Sequence, residues 1–218
     1  MHELLTIAAR DHALAPLDLL AGLAAVSLIP LVLVMCTSFV RIVVVLSLLR
    51  SAIGASAVPP NALLVGLAMT LTLVVMGPTI QRIRVEAIAP YAQGRATPQQ
   101  TLDRAILPLR TFMLRQTRPE DVTLFERVGH RGRQPARSAS LDVLVPAYVV
   151  GELRSAFAIG FALYLPFVAI DLAVAGMLMG LGMMMLSPPV VSLPIKLLLF
   201  VLVDGWALIC GGVVASFR

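Results

Sequence analysis

Four stretches of this chain reach the roughly 20 predominantly apolar residues that a helix needs to cross hydrocarbon. They run from about Leu17 to Cys36, from Ala62 to Ile80, from Phe157 to Leu186 and from Leu193 to Phe217. Composition agrees with a membrane location. Of the 218 residues 59% are hydrophobic and 13% charged, with a mean hydropathy of +0.93, whereas charged residues make up roughly 25% of a soluble domain. The expected fold is an all-α integral membrane protein of about four long apolar helices, several broken or bent, with a small polar helical subdomain between the second and third.

Polar residues and prolines interrupt these runs. Asp18, Pro30, Pro166 and Asp171 lie in or beside them, and Asp204 follows Lys196 within the fourth. "FVRIVVVLSLLR" (39–50) extends the first run with Arg41 and Arg50 inside it. Such helices suit contact with protein better than contact with lipid on every side. Lys196 is the only lysine of the chain. An unpaired charge in hydrocarbon costs several kcal/mol, so Lys196 is expected to form an intramembrane pair with Asp171. A small ion or solute transporter using Asp171, Lys196 and Asp204 is the alternative class, but the two pairs of spans show no repeat of each other. Cys36 and Cys210 lie in apolar sequence without metal-ligand spacing and read as packing residues.

Residues 81–140 differ in kind, carrying eleven arginines against five acidic residues. The organisation expected is an N-terminal helical hairpin (1–80), this arginine-rich helical subdomain (81–140) and a C-terminal helical hairpin with a Met-rich loop (141–218). Thr97, Pro98 and Gln100 form a helix start of the capping-box type. Leu102, Ile106, Leu109 and Met113 then repeat on one face, and Pro108 is expected to bend the helix. A second short helix is expected from Pro119, with Glu120 and Asp121 in its first turn. Two helices this small bury little by themselves, so Phe112 and Phe125 are expected to pack against neighbouring copies. "GHRGRQPARSAS" (129–140) reads as a basic loop, and without aromatic interleaving the segment is not a nucleic-acid binder.

No catalytic, metal-binding or cofactor motif is present: His2, His12 and His130 are scattered, and no Walker, GxSxG or HExxH pattern occurs. No cofactor and no enzyme activity are expected. "GLGMMMLSPP" (180–189) is the remaining unusual stretch. Met183, Met184 and Met185 cannot share one helix face, because successive residues point about 100° apart. Alone they describe a Met-rich turn that packs.

"TSFVRIVVVLSLLRSAIG", "VPPNALLVGLAMTLTLVVMGP", "LRTFMLRQTRPEDVTLF", "VLVPAYVVGELRSAFAIGF" and "GLGMMMLSPPVVSLPIKLLLFVLVDGW" together resemble the FliP family of flagellar export-gate proteins and their type III secretion relatives, the SctR, YscR and SpaP group. The blocks occur in the family's order from Thr37 to Phe217. The resemblance implies a core pore-forming subunit in the bacterial inner membrane at the flagellar basal body, multi-pass and pentameric. Its implied partners are FliQ- and FliR-like subunits, FlhA- and FlhB-like proteins and unfolded export substrates. It places 81–140 on the periplasmic side, makes Met183, Met184 and Met185 a pore seal, and brings Phe112, Phe125 and Glu152 into subunit contacts. A homologous injectisome subunit is the alternative. Many flagellar members begin with a cleavable signal peptide; "MHELLTIAARDHALAPLDLL" lacks a basic start and a clear cleavage site, so none is assigned.

Overall fold

A computed structural model describes residues 27, 31, 34–55, 58–129, 139–183 and 185–217. The chain divides into two units, Met1–Met35 and Cys36–Arg218. In the first, the described residues Ser27, Leu31, Val34 and Met35 are helical. The rest of the expected Leu17–Cys36 span, with Asp18 and Pro30, lies outside the described residues, as does most of the basic loop.

In the second unit the described residues form helices joined by short turns, and no strand. Helix α1 (Phe39–Ile53) is the most enclosed element. Its Ile42, Val45, Leu46 and Leu49 are fully buried, which explains how a β-branched run holds a helix: packing outweighs the weak propensity of Val and Ile. Gly54, at φ 87°, ends it in the left-handed conformation that glycine adopts without a Cβ penalty.

Helix α2 (Asn61–Ile83) does not stop where the apolar run does. It passes through a π turn at Arg84–Ile88 into α3 (Ala89–Ala92), giving 32 continuous helical residues. Pro90 has no N–H for the Glu86 carbonyl, and the wider turn lies directly before it. Residue 81, the expected boundary of the polar subdomain, therefore sits inside a helix.

Helix α4 (Pro98–Gln116) starts with the full capping box. The Gln100 N–H donates to Thr97 Oγ1 at 3.3 Å, and the Thr97 N–H donates to Gln100 Oε1 at 3.1 Å. The helix continues through Pro108. Helix α5 (Pro119–Val128) follows after a two-residue break, with Glu120 and Asp121 in its first turn. Helix α6 (Leu141–Gly180) has 40 residues, about 60 Å at 1.5 Å per residue and twice the thickness of hydrocarbon. Helices α7 (Pro188–Leu202) and α8 (Gly205–Ala215) meet at a 66° bend. Asp204 forms the elbow at φ 49°, and a β-carbon on the next residue, Gly205, would collide with the Phe200 ring. The fourth apolar run is thus two short helices.

Helix α6 is the spine, packing most extensively on α1 and then on α5, α7 and α4. At Gly160 the α1 and α6 backbones approach so closely that an added β-carbon would fall 3.0 Å from Leu48 Cβ. One apolar cluster joins α1 to residues of α2, α6, α7 and α8. A second gathers Cys36, Met76, Phe112, Met113, Leu144 and Tyr148, and a third gathers Val122, Ala139, Val143 and Ala147. Those last two clusters fasten α4 and α5 to α6, so the arginine-rich helices share their cores with the long helix. Among the described residues two helices are long and apolar enough to cross a membrane, Asn61–Ala92 and Leu141–Gly180, or three if the bent α7–α8 pair counts as one. The all-helical expectation stands in that coarser form.

Candidate functional site: a methionine tip on a braced hairpin

Helix α6 ends in a Schellman motif. The Met183 N–H reaches Leu178 O at 2.9 Å and the Gly182 N–H reaches Met179 O at 3.1 Å, with Gly182 at φ 71°. This geometry satisfies two end carbonyls and reverses the chain, and only glycine takes that φ without strain. Ser187 then sits extended, and Pro188 begins α7 with a preset φ. Between the two helices Met183 and Met185 lie outside any helix, so they are not confined to one buried stripe.

The turn is exposed and apolar. Met183 is 43% exposed and Met185 is fully exposed at 102%, with Leu181, Met177, Met179 and Val190 also exposed around them. Met184 lies outside the described residues. None of the described residues of the unit covers this tip, which leaves flexible thioethers presented at the end of a long helix.

A polar brace fixes the hairpin below the tip. Lys196 Nζ of α7 donates to Asp171 Oδ2 of α6 at 2.6 Å and to the Ala52 carbonyl of α1 at 3.2 Å. Ser192 Oγ donates to the other carboxylate oxygen, Asp171 Oδ1, at 2.6 Å. The Lys196 side chain is 7% exposed and that of Asp171 39%. The carboxylate thus opens on a cavity of about 380 Å³ that Ser51, Gly54 and Tyr164 also line. Asp204 does not line it; it is exposed on the α7–α8 elbow.

A second polar cluster ties the opposite part of α6 to α1. Arg41 donates from Nε to Glu152 Oε2 at 2.8 Å and from Nη2 to Glu152 Oε1 at 2.6 Å. Nη2 also reaches Gln116 Oε1 at 3.2 Å, and Nη1 reaches the Ser216 carbonyl and hydroxyl, each at 3.0 Å. All five guanidinium donors are therefore engaged, and Arg41 Cζ lies 3.8 Å above the centre of the Phe217 ring. One turn before Glu152, the buried Tyr148 hydroxyl donates to the Thr37 carbonyl at 2.8 Å. Arg154 forks onto buried Asp121 of α5 at 2.7 and 2.8 Å.

The site residues expected from sequence separate into groups. Asp171 and Lys196 are brought together; Met183 and Met185 share the tip. Glu152 is fully buried and partnered within its own chain. Phe112 is enclosed by Tyr148, edge-on at 6.1 Å, and by Phe217, stacked at 6.3 Å. Its burial does not depend on a neighbouring copy, contrary to the estimate that its helix was too small to cover it. Phe125 is half-buried on the Val122 cluster. Gln116, Ser216 and Phe217 escaped sequence reasoning, since nothing local marks them; Arg41, a cation in an apolar run, was the visible signal. Among the described residues no group of acidic, His or Cys side chains could hold a metal.

A family profile described as the FliP family matches residues 22–213. A protein of Pectobacterium carotovorum subsp. carotovorum called flagellar biosynthetic protein FliP is 47% identical over 196 residues, covering 89% of this chain and 76% of its own. The protein of that name from Caulobacter vibrioides is 48% identical over 202 residues, covering 91% and 76%. That of Bacillus subtilis is 39% identical over 208 residues, covering 95% and 94%.

Proposed function

Since the chain belongs to the FliP family, we propose that it is the core pore-forming subunit of the flagellar protein export gate, with the methionine tip as its seal. Family membership makes it a membrane component of the flagellar export apparatus and not an enzyme. In the finer reading, several copies form a ring, five by the family pattern, with FliQ- and FliR-like subunits completing it. FlhA- and FlhB-like proteins stand beside it, and unfolded flagellar substrates pass through the centre. The site is the bacterial inner membrane at the basal body, crossed several times, with residues 81–140 on the periplasmic side.

The observation that carries this reading is the exposure of Met183 and Met185 at the end of a hairpin braced by Asp171 and Lys196. Repeated around an axis, such tips would bring unbranched apolar side chains into a closable constriction. Thioethers adapt to an irregular gap, so one ring could close on itself and also fit around a passing chain. The brace keeps the hairpin at a fixed height while its end residues rearrange. An interface role for Phe112 and Glu152 would be indirect, through the α4–α6 surface that they shape from inside, whereas Phe125 is open enough to touch a neighbour.

Native mass measurement of the detergent-extracted chain, alone and co-expressed with its FliQ- and FliR-like neighbours, tests the assembly. A discrete homo-oligomer that binds those neighbours is expected. A monomer that never binds them contradicts the reading.

A further inference from the structure

The α7–α8 elbow carries a charge that its own fold does not use. Between Pro188 and Ala215 the only charged residues are Lys196, which Asp171 holds, and Asp204. The Asp204 backbone is satisfied: its N–H donates to Val201 O at 3.2 Å and its carbonyl accepts the Leu208 N–H at 3.1 Å. Its carboxylate does not cap α8, and it bonds to none of the described residues.

The turn does not account for the charge. A φ of 49° suits Gly or Asn at least as well, so the backbone asks for a residue that tolerates the left-handed region and not for an anion. The bend is held from inside, where buried Phe200 lies against Gly205 and stands edge-on to Trp206 at 5.3 Å. Asp204 is left exposed among the exposed apolar side chains Val201, Leu202, Val203, Trp206 and Leu208.

An anion in such a surface is strongly unfavourable against lipid or against an apolar protein face, and it selects a cation. Among the described residues, the basic ones within apolar sequence are already engaged. Arg41 is held by Glu152 and Lys196 by Asp171, while Arg50 donates to the Pro59 carbonyl and to Asn61 Oδ1. The complementary charge therefore belongs to a different protein and not to a second copy of this chain.

We infer that the α7–α8 elbow docks an apolar helix of another membrane protein, and that an Arg or Lys within that helix pairs with Asp204 while its apolar side chains cover Leu202, Val203 and Trp206. The inference rests on the export-gate reading, which supplies the FliQ- and FliR-like neighbours as the partners to test.

The test co-expresses the tagged full chain with those neighbours and quantifies how much of each is retained on it after detergent extraction. Asp204→Asn and Asp204→Lys should retain about tenfold less of one neighbour, because removing one member of a desolvated pair strands the other charge. Asp204→Gly keeps the left-handed turn, so it should lose the neighbour equally while its melting temperature and homo-oligomer yield match the parent. Glu in place of one basic residue in the apolar helices of that neighbour should restore binding to Asp204→Lys. Undiminished retention by Asp204→Asn and Asp204→Gly, or a loss that no reversed charge restores, overturns the inference. A lower homo-oligomer yield in Asp204→Gly, or restoration by a reversed charge in this chain itself, overturns it in favour of a contact within or between copies. A parent chain that binds neither neighbour contradicts the export-gate reading, and the inference falls with it.

Discussion

Arg41 and Glu152 close a two-bond fork between α1 and α6 with side chains 5% and 0% exposed. Burying two charges is expensive, and their attraction offsets that cost only if the remaining donors and acceptors are also satisfied. Here they are, through Gln116 and the Ser216–Phe217 backbone and side chains. The pair therefore fixes where the end of α8 meets α1, α4 and α6.

Removing one partner leaves the other charge stranded. Arg41→Ala and Glu152→Ala should each destabilise the unit by about 3–5 kcal/mol. Arg41→Lys should recover little, because an ammonium cannot form the fork or the planar stack on Phe217. Thermal denaturation of the detergent-solubilised chain, followed by circular dichroism, reads this directly. A Lys variant as stable as the parent would show that charge alone suffices.

Asp171 and Lys196 should behave differently as single and double variants. Asp171→Ala orphans a lysine that is almost fully buried, whereas Asp171→Ala with Lys196→Ala removes both charges. Assembly on a native gel should therefore be poorer for the single variant than for the double. Equal assembly in the two would remove the case for coupling between them.

Phe112 and Phe125 separate fold from interface. Phe112→Ala empties a packed site and should cost about 3–5 kcal/mol of stability in the isolated chain, with oligomer yield falling as a consequence. Phe125→Ala, at a half-exposed position, should cost less stability and act mainly on oligomer yield. If Phe125→Ala changes neither the melting temperature nor the yield, that ring plays no part in subunit contact.

Local signals were legible in the sequence and distant ones were not. Thr97 and Gln100 announced the start of α4 because a capping box is complete within four residues. Asp171 and Lys196 could be matched because the chain has one lysine and charge in apolar sequence seeks a partner. Phe112 was misjudged because its cover comes from Tyr148 and Phe217, on other helices. The helix begun at Asn61 continues past the apolar run that closes at Ile80, through the π turn, to Ala92, because helical hydrogen bonding does not end where hydrophobicity does. The bend at Asp204 was hidden for the opposite reason: the run from Leu193 to Phe217 stays apolar while its backbone turns.

Conductance through the purified complex in a planar bilayer tests the seal most directly. Shortening Met183, Met184 and Met185 to Ala removes the volume that would fill the constriction, so ion leakage should rise while assembly stays largely intact. Leu at all three positions keeps most of the bulk and should keep the complex closed, with slower export because the adaptability is lost. A triple-Ala complex that assembles and remains as tight as the parent would contradict the account and reduce the tip to a turn that only packs.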